Sequence, residues 1–193
     1  MNSNLRTAVF IIISAVQISV IAGIIIGHES TVSAGKEYRF PTAPVDPYDI
    51  FQGRYLALGF RGLSQTTAKT NQFTEKQSVY ALITEDSNGF ALITNISATK
   101  TTAPCIRVKV QSAYQNRVTV AFPFDHYYLP EDSAKPAEMI YRDFTAQRRL
   151  DVYALVAVDA SGNAILKDVY VKGEPILSFV KKHRNEYTNK KPW

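Results

Sequence analysis

Ser78-Val79-Tyr80-Ala81-Leu82-Ile83-Thr84 is followed by Glu85-Asp86-Ser87-Asn88-Gly89 and then by Phe90-Ala91-Leu92-Ile93-Thr94. Two runs rich in β-branched and aromatic residues thus flank a polar break ending in Asn-Gly, which supplies the positive φ of a tight turn, and the stretch predicts a β-hairpin. The same pattern recurs outward from it. Ile106–Val110 and Arg117–Phe122 alternate charged or polar with β-branched residues about Gln115-Asn116, as strands with one wet and one packed face do. Val152–Val158 and Ala164–Val171 flank Asp159-Ala160-Ser161-Gly162-Asn163, a further hairpin. Lys36–Phe40 and Arg54–Phe60 read as short strands. Between them Pro41, Pro44 and Pro47 are expected to interrupt ladder pairing, because proline has no backbone donor. Residues 62–76 read as a polar loop, and Ser133–Leu150 as one helix. The order predicts a mainly β fold with one helix (α+β), an antiparallel curled sheet or partly open barrel whose end the helix covers.

This domain follows an apolar segment. Thr7–Gly27 carries no charge, and about 20 apolar residues rising about 1.5 Å each match the roughly 30 Å hydrocarbon core of a bilayer. A secretory signal has a shorter apolar region, of about 7–15 residues, so a retained single transmembrane helix is expected. Val32-Ser33-Ala34 before Gly35 has the small residues of a cleavage site but lies beyond His28 and Glu29. Arg6 and the amino terminus face Lys36 and Arg39 across the span, a slight bias, and the short acid-free N-terminus is compatible with the cytoplasm. The expected division is a tail over 1–6, the span over 7–27, a polar linker over 28–35, the β-rich domain over 36–177 and a basic tail over 178–193. With the span removed, about 165 residues remain, enough for one domain with its own core.

The formal charge of +5 is concentrated at the C-terminus, where Lys181, Lys182, Arg184, Lys190 and Lys191 outweigh Glu186. Nucleic-acid binding calls for a basic patch on a folded surface, so no nucleic-acid partner is expected and KKHRNEYTNKKPW reads as a solvated tail. Cys105 is the single cysteine, read as a small buried hydrophobe beside a strand. His28, His126 and His183 show no ligand spacing, and Asp125, Glu131 and Asp132 fit no calcium loop; neither metal nor cofactor is expected.

Pro44-Val45-Asp46-Pro47 and Asp49 precede Gly53-x-Tyr55-x-x-Leu58-x-Phe60. Together they resemble the signature of the GDYXXLXY family of membrane-anchored bacterial domains. Gly35–Phe40, Tyr127-Tyr128-Leu129-Pro130-Glu131 and the Gly162–Ile176 end with Lys167-Asp168 resemble further parts of that family, so the likeness covers nearly all of 35–177. Two positions depart from the pattern: Arg54 stands where the family has its acid, and Phe60 replaces the last tyrosine. The resemblance implies a bacterial inner-membrane protein, often associated with multi-pass membrane proteins, and implies no reaction. Read physically, Gly53 enters a strand on which Tyr55, Ala57 and Gly59 share one face and Leu56, Leu58 and Phe60 the other. The segment is either structural, with Asp46 and Asp49 accepting turn amides, or a binding surface of Asp46, Asp49, Gly53, Arg54 and Tyr55.

Catalytic constellations are weak. His126 with Asp125 lacks a Gly-x-Ser-x-Gly setting. A Ser-Lys dyad on a signal-peptidase-like scaffold would draw on Ser64 and Lys69 or Lys76, in a polar loop where lysine keeps its charge. Tyr114, Phe122, Phe124, Tyr127, Tyr128, Tyr141 and Phe144 are expected to pack in the core, or to form an interaction patch if they face outward. The expectation is therefore a non-enzymatic, membrane-anchored domain that contacts the bilayer through 7–27 and binds or supports a membrane-protein partner. The alternatives are an envelope small-molecule or glycan binding module and a membrane-tethered hydrolase.

Overall fold

The computed structural model describes residues 3–44, 55–66, 73–114, 116–146 and 151–188. The first element, α1, is a continuous helix over Ser3–Ala34. The polar linker expected over 28–35 is therefore helical to Ala34. A helix already nucleated extends at little cost per residue, and the Ser30, Thr31 and Ser33 hydroxyls bond carbonyls about one turn back instead of competing with it. The helix is long and apolar enough to cross a membrane, and none of its most apolar window is buried by the other described residues.

Among the described residues, two antiparallel sheets and a short ribbon build the domain. The first sheet centres on β1 (Lys36–Ala43) and β10 (Val152–Val158), with β11 (Ala164–Val171) and β12 (Glu174–Pro175) on one side and β3 (Gly59–Phe60) on the other. Pro41 does not break β1. It falls where the strand changes partner, from β10 up to Pro41–Tyr153 to β3 from Thr42–Phe60, so the missing N–H lies at the handover. The second sheet runs β4 (Ser64–Thr66), β8 (Arg117–Ala121), β7 (Cys105–Tyr114), β5 (Ser78–Glu85), β6 (Ala91–Ser97). It curls until its edge strands β4 and β6 approach each other. The β5–β6 hairpin closes through Gly89 at φ 76°, and the β7–β8 turn through Asn116 at φ 62°. The ribbon pairs β2 (Tyr55–Ala57) with β9 (His126–Tyr128).

The packed faces meet in one core. Phe122 stacks on Phe124 with centroids 4.7 Å apart, and Phe40 and Phe60 stand edge-on to Phe122 at 5.2 and 5.1 Å, a favourable arrangement for ring quadrupoles. Phe122, Phe124 and Tyr141 are buried as expected, whereas Tyr114 and Tyr128 are 72% and 74% exposed. Cys105 is buried.

The helix expected at 133–150 is α2, Glu131–Ala146, with Glu131 and Asp132 in its first turn, where they complement the helix dipole. A third helix, α3, spans Ile176–Thr188, so the C-terminal segment up to Thr188 is not a solvated tail. Ile176, Phe179 and Val180 are buried at helical spacing, and Phe179 meets Phe144 of α2 edge-on at 5.6 Å. Charge dominates the sequence from Lys181 on and masks the short apolar stripe that precedes it.

Candidate functional site

Of the five motif residues proposed from sequence, Asp46, Asp49, Gly53 and Arg54 lie outside the described residues; Tyr55 opens β2. The expected alternation holds along the part that is described, with Leu56, Leu58 and Phe60 buried and Tyr55, Ala57 and Gly59 outward. The strand itself is split. Tyr55–Ala57 pairs with β9, the Leu58 amide donates to the Asp125 carbonyl at 2.8 Å, and Gly59–Phe60 pairs with β1.

Tyr141 of α2 closes this segment from behind. Its hydroxyl donates to the Ala43 carbonyl at 2.8 Å and accepts from the Gly59 amide at 3.1 Å, tying the strand just before the motif to the motif's own C-terminal strand. Burial pushes its phenol up to about 12, against the opposing influence of the Gly59 and Thr42 hydrogen bonds. The hydroxyl is thus a neutral donor and acceptor at any ordinary pH.

On the outward face of the ribbon three rings gather. Tyr55 lies opposite Tyr128 in register, with centroids 6.1 Å apart, and His126 packs edge-on to Tyr55 at 4.3 Å. His126 is hydrogen-bonded to Asp125, and both are exposed. Alternation sends Tyr127 the other way, where its hydroxyl donates to Asp168 Oδ1 at 2.7 Å. Burial first, then the adjacent carboxylate, raises the Tyr127 phenol well above its ordinary range.

Asp168 and Lys167 are aimed by a bulge. Leu155 pairs with Asp168 but Val156 pairs with Leu166, so Lys167 is the extra residue in β11. Lys167 Nζ reaches Glu37 Oε1 of β1 at 2.6 Å, and Asp168 Oδ1 also accepts from the Val169 amide at 2.7 Å. The sequence stretches singled out separately, 35–40, 55–60, 127–131 and 167–168, are thereby joined into one region. From the sequence, Tyr128 belongs to the core or, if outward, to an interaction patch, and His126 enters only as a weak catalytic candidate; a three-residue strand between Phe124 and Leu129 offers too short an alternation to place a face.

Chemically the surface offers two phenol rings, an imidazole and a carboxylate in water. Among the described residues no serine hydroxyl bonds His126, and no three His, Cys, Asp or Glu side chains gather as metal ligands. Lys76 is exposed in a turn, far from the desolvated setting a Ser-Lys base requires; Lys69 lies outside the described residues. A family model described as GDYXXLXY protein matches residues 17–169. No curated protein and no solved structure matches the chain.

Proposed function

The chain belongs to the GDYXXLXY family, and from that premise we propose a single-pass protein of the bacterial inner membrane. Its N-terminus is cytoplasmic, and its β-rich domain lies outside the cytoplasm, where it binds or supports a membrane-protein partner. The observation that carries this reading is α1, whose apolar surface finds no cover among the described residues and needs a lipid or helix environment. The ribbon supports the partner: exposed aromatic residues beside polar groups are enriched in protein contacts, and Tyr128 stands 74% exposed beside Tyr55 and His126.

The test is site-specific photo-cross-linking in native membranes, with the photoreactive residue at Tyr128 and, for comparison, at Leu92 of β6, which is also exposed. A single membrane-protein adduct formed through position 128 by the full chain, and not by a chain lacking residues 1–34, is the expected result. Equal, diffuse labelling from both positions would refute the ribbon as the contact. A second reading, a small-molecule or glycan module, draws on the same rings beside the Asp125–His126 pair; it predicts no adduct and a glycan affinity abolished by Tyr128→Ala.

A further inference from the structure

We propose that the domain does not hang from a stalk but sits directly on the lipid headgroup layer, seated by the Asp159–Asn163 turn with Tyr80 and Arg107 beside it. This rests on α1 being a membrane span. The apolar run from Thr7 to Gly27 covers about 31 Å of helix axis, which fills a hydrocarbon core of roughly 30 Å. Thr31 stands one turn beyond Gly27, about 6 Å further along the axis, and the polar layer on each side of the core is roughly 5–7 Å deep. At that level the Thr31 hydroxyl, whose one proton is shared between the Gly27 carbonyl and the carboxylate, lies 3.1 Å from Asp159 Oδ2, and Thr31 is only 3% exposed. The β10–β11 turn therefore reaches headgroup depth, and any tilt of the helix brings part of the domain closer still.

The contacts leave no slack between helix and sheet. The Gly35 amide donates to the Thr31 carbonyl at 3.0 Å, and a Cβ at Gly35 would stand 2.4 Å from that oxygen and 3.1 Å from the Val158 nitrogen. Asp159 Oδ1 accepts from the Ser161 and Asn163 amides, which fixes the turn. Gly162, at φ 85°, accepts from the Arg107 amide at 2.8 Å, and its bare Cα faces the Tyr80 ring. Helix, turn and second sheet form one chain of contacts. The surrounding chemistry suits phospholipid: a tyrosine ring is amphipathic enough for the interfacial level. The exposed Arg107 guanidinium donates to the Tyr80 hydroxyl at 3.1 Å and has further N–H groups with which to meet a phosphate.

The test uses the full chain in nanodiscs of phosphatidylcholine and phosphatidylglycerol containing nickel-chelating lipid, with a nitroxide at Ser161→Cys or at Glu174→Cys. Glu174 pairs with Val171 at the far end of β11, about 23 Å along the strand from Ala164; the buried Cys105 is left in place. Nickel is expected to relax the Ser161 label several-fold faster than the Glu174 label. The contrast is expected to shrink in Arg107→Gln and to vanish when Thr31→Val and Asp159→Ala open the joint. Equal relaxation of the two labels in a chain that has entered the disc overturns the seat alone. A chain that stays outside the disc and is extracted by carbonate overturns the membrane reading, and the seat with it.

Discussion

Tyr141 shows what a single hydroxyl does here: it accepts a hydrogen bond from the Gly59 amide and donates one to the Ala43 carbonyl, so removing it orphans two backbone groups at once. Tyr141→Phe is expected to lower stability by about 1–3 kcal/mol, read as a shift of the urea midpoint with unchanged slope. The phenol is raised from 10.0 to about 12 in the folded chain, so its stabilising effect is complete below pH 10 and is lost as the pH climbs toward 12. The phenylalanine variant should accordingly lose part of the alkaline decline in stability across that window, measured by unfolding at successive pH values. At this scale the sequence was legible where alternation governs. The inward set Leu56, Leu58 and Phe60 follows from spacing alone, and Cys105 from its neighbours. Partners distant in sequence were not legible: nothing local in Arg-Asp-Phe-Thr around residue 143 says that Tyr141 reaches Ala43, because that bond is made by the packing of α2 on the first sheet.

Among the elements, the three long hairpins announce themselves through turn chemistry and short β-rich runs, and the structure has a strand at each run, although β6 continues to Ser97, past the expected Thr94, and β7 to Tyr114, past the expected Val110. The short strands β4 and β9 do not, since three residues carry no usable period and are strands only because β8 and β2 pair with them. The third helix was hidden differently. Its basic residues drew attention to solvent, while Phe179 is buried against Phe144. Phe179→Ala is expected to cost about 3–5 kcal/mol, visible as a lower melting temperature, whereas Lys181→Ala on the exposed side of the same helix should stay within about 0.5 kcal/mol of the parent. At the opposite end, Gly35→Ala forces the added methyl onto the Thr31 carbonyl oxygen. Limited proteolysis should then cut between residues 30 and 37 in the alanine chain while sparing the parent.

For the molecule as a whole, class, curl and an apolar first helix were all legible, and the family match over residues 17–169 agrees with the resemblance drawn from the motif. The proposed partner has no signature in the sequence beyond the motif, and the acids and the arginine proposed to meet it, Asp46, Asp49 and Arg54, lie outside the described residues. On the membrane reading, the full chain should remain in the pellet after carbonate washing and the chain lacking residues 1–34 should not, followed by immunoblot. The pairing of β1 with β10 adds a constraint on synthesis. All five strands of the curled sheet lie between residues 64 and 121 and can close as they emerge. The Lys36–Pro41 part of the strand next to the first helix must instead wait for a mate more than a hundred residues later, β3 pairing only with Thr42 and Ala43. At about 5–20 residues per second that delay is on the order of ten seconds, during which the Lys36–Pro41 backbone lacks its β10 mate and, on the membrane reading, does so beside the translocation channel. A nascent chain of this protein is thus, for that interval, a natural client for whatever holdase attends the emerging chain.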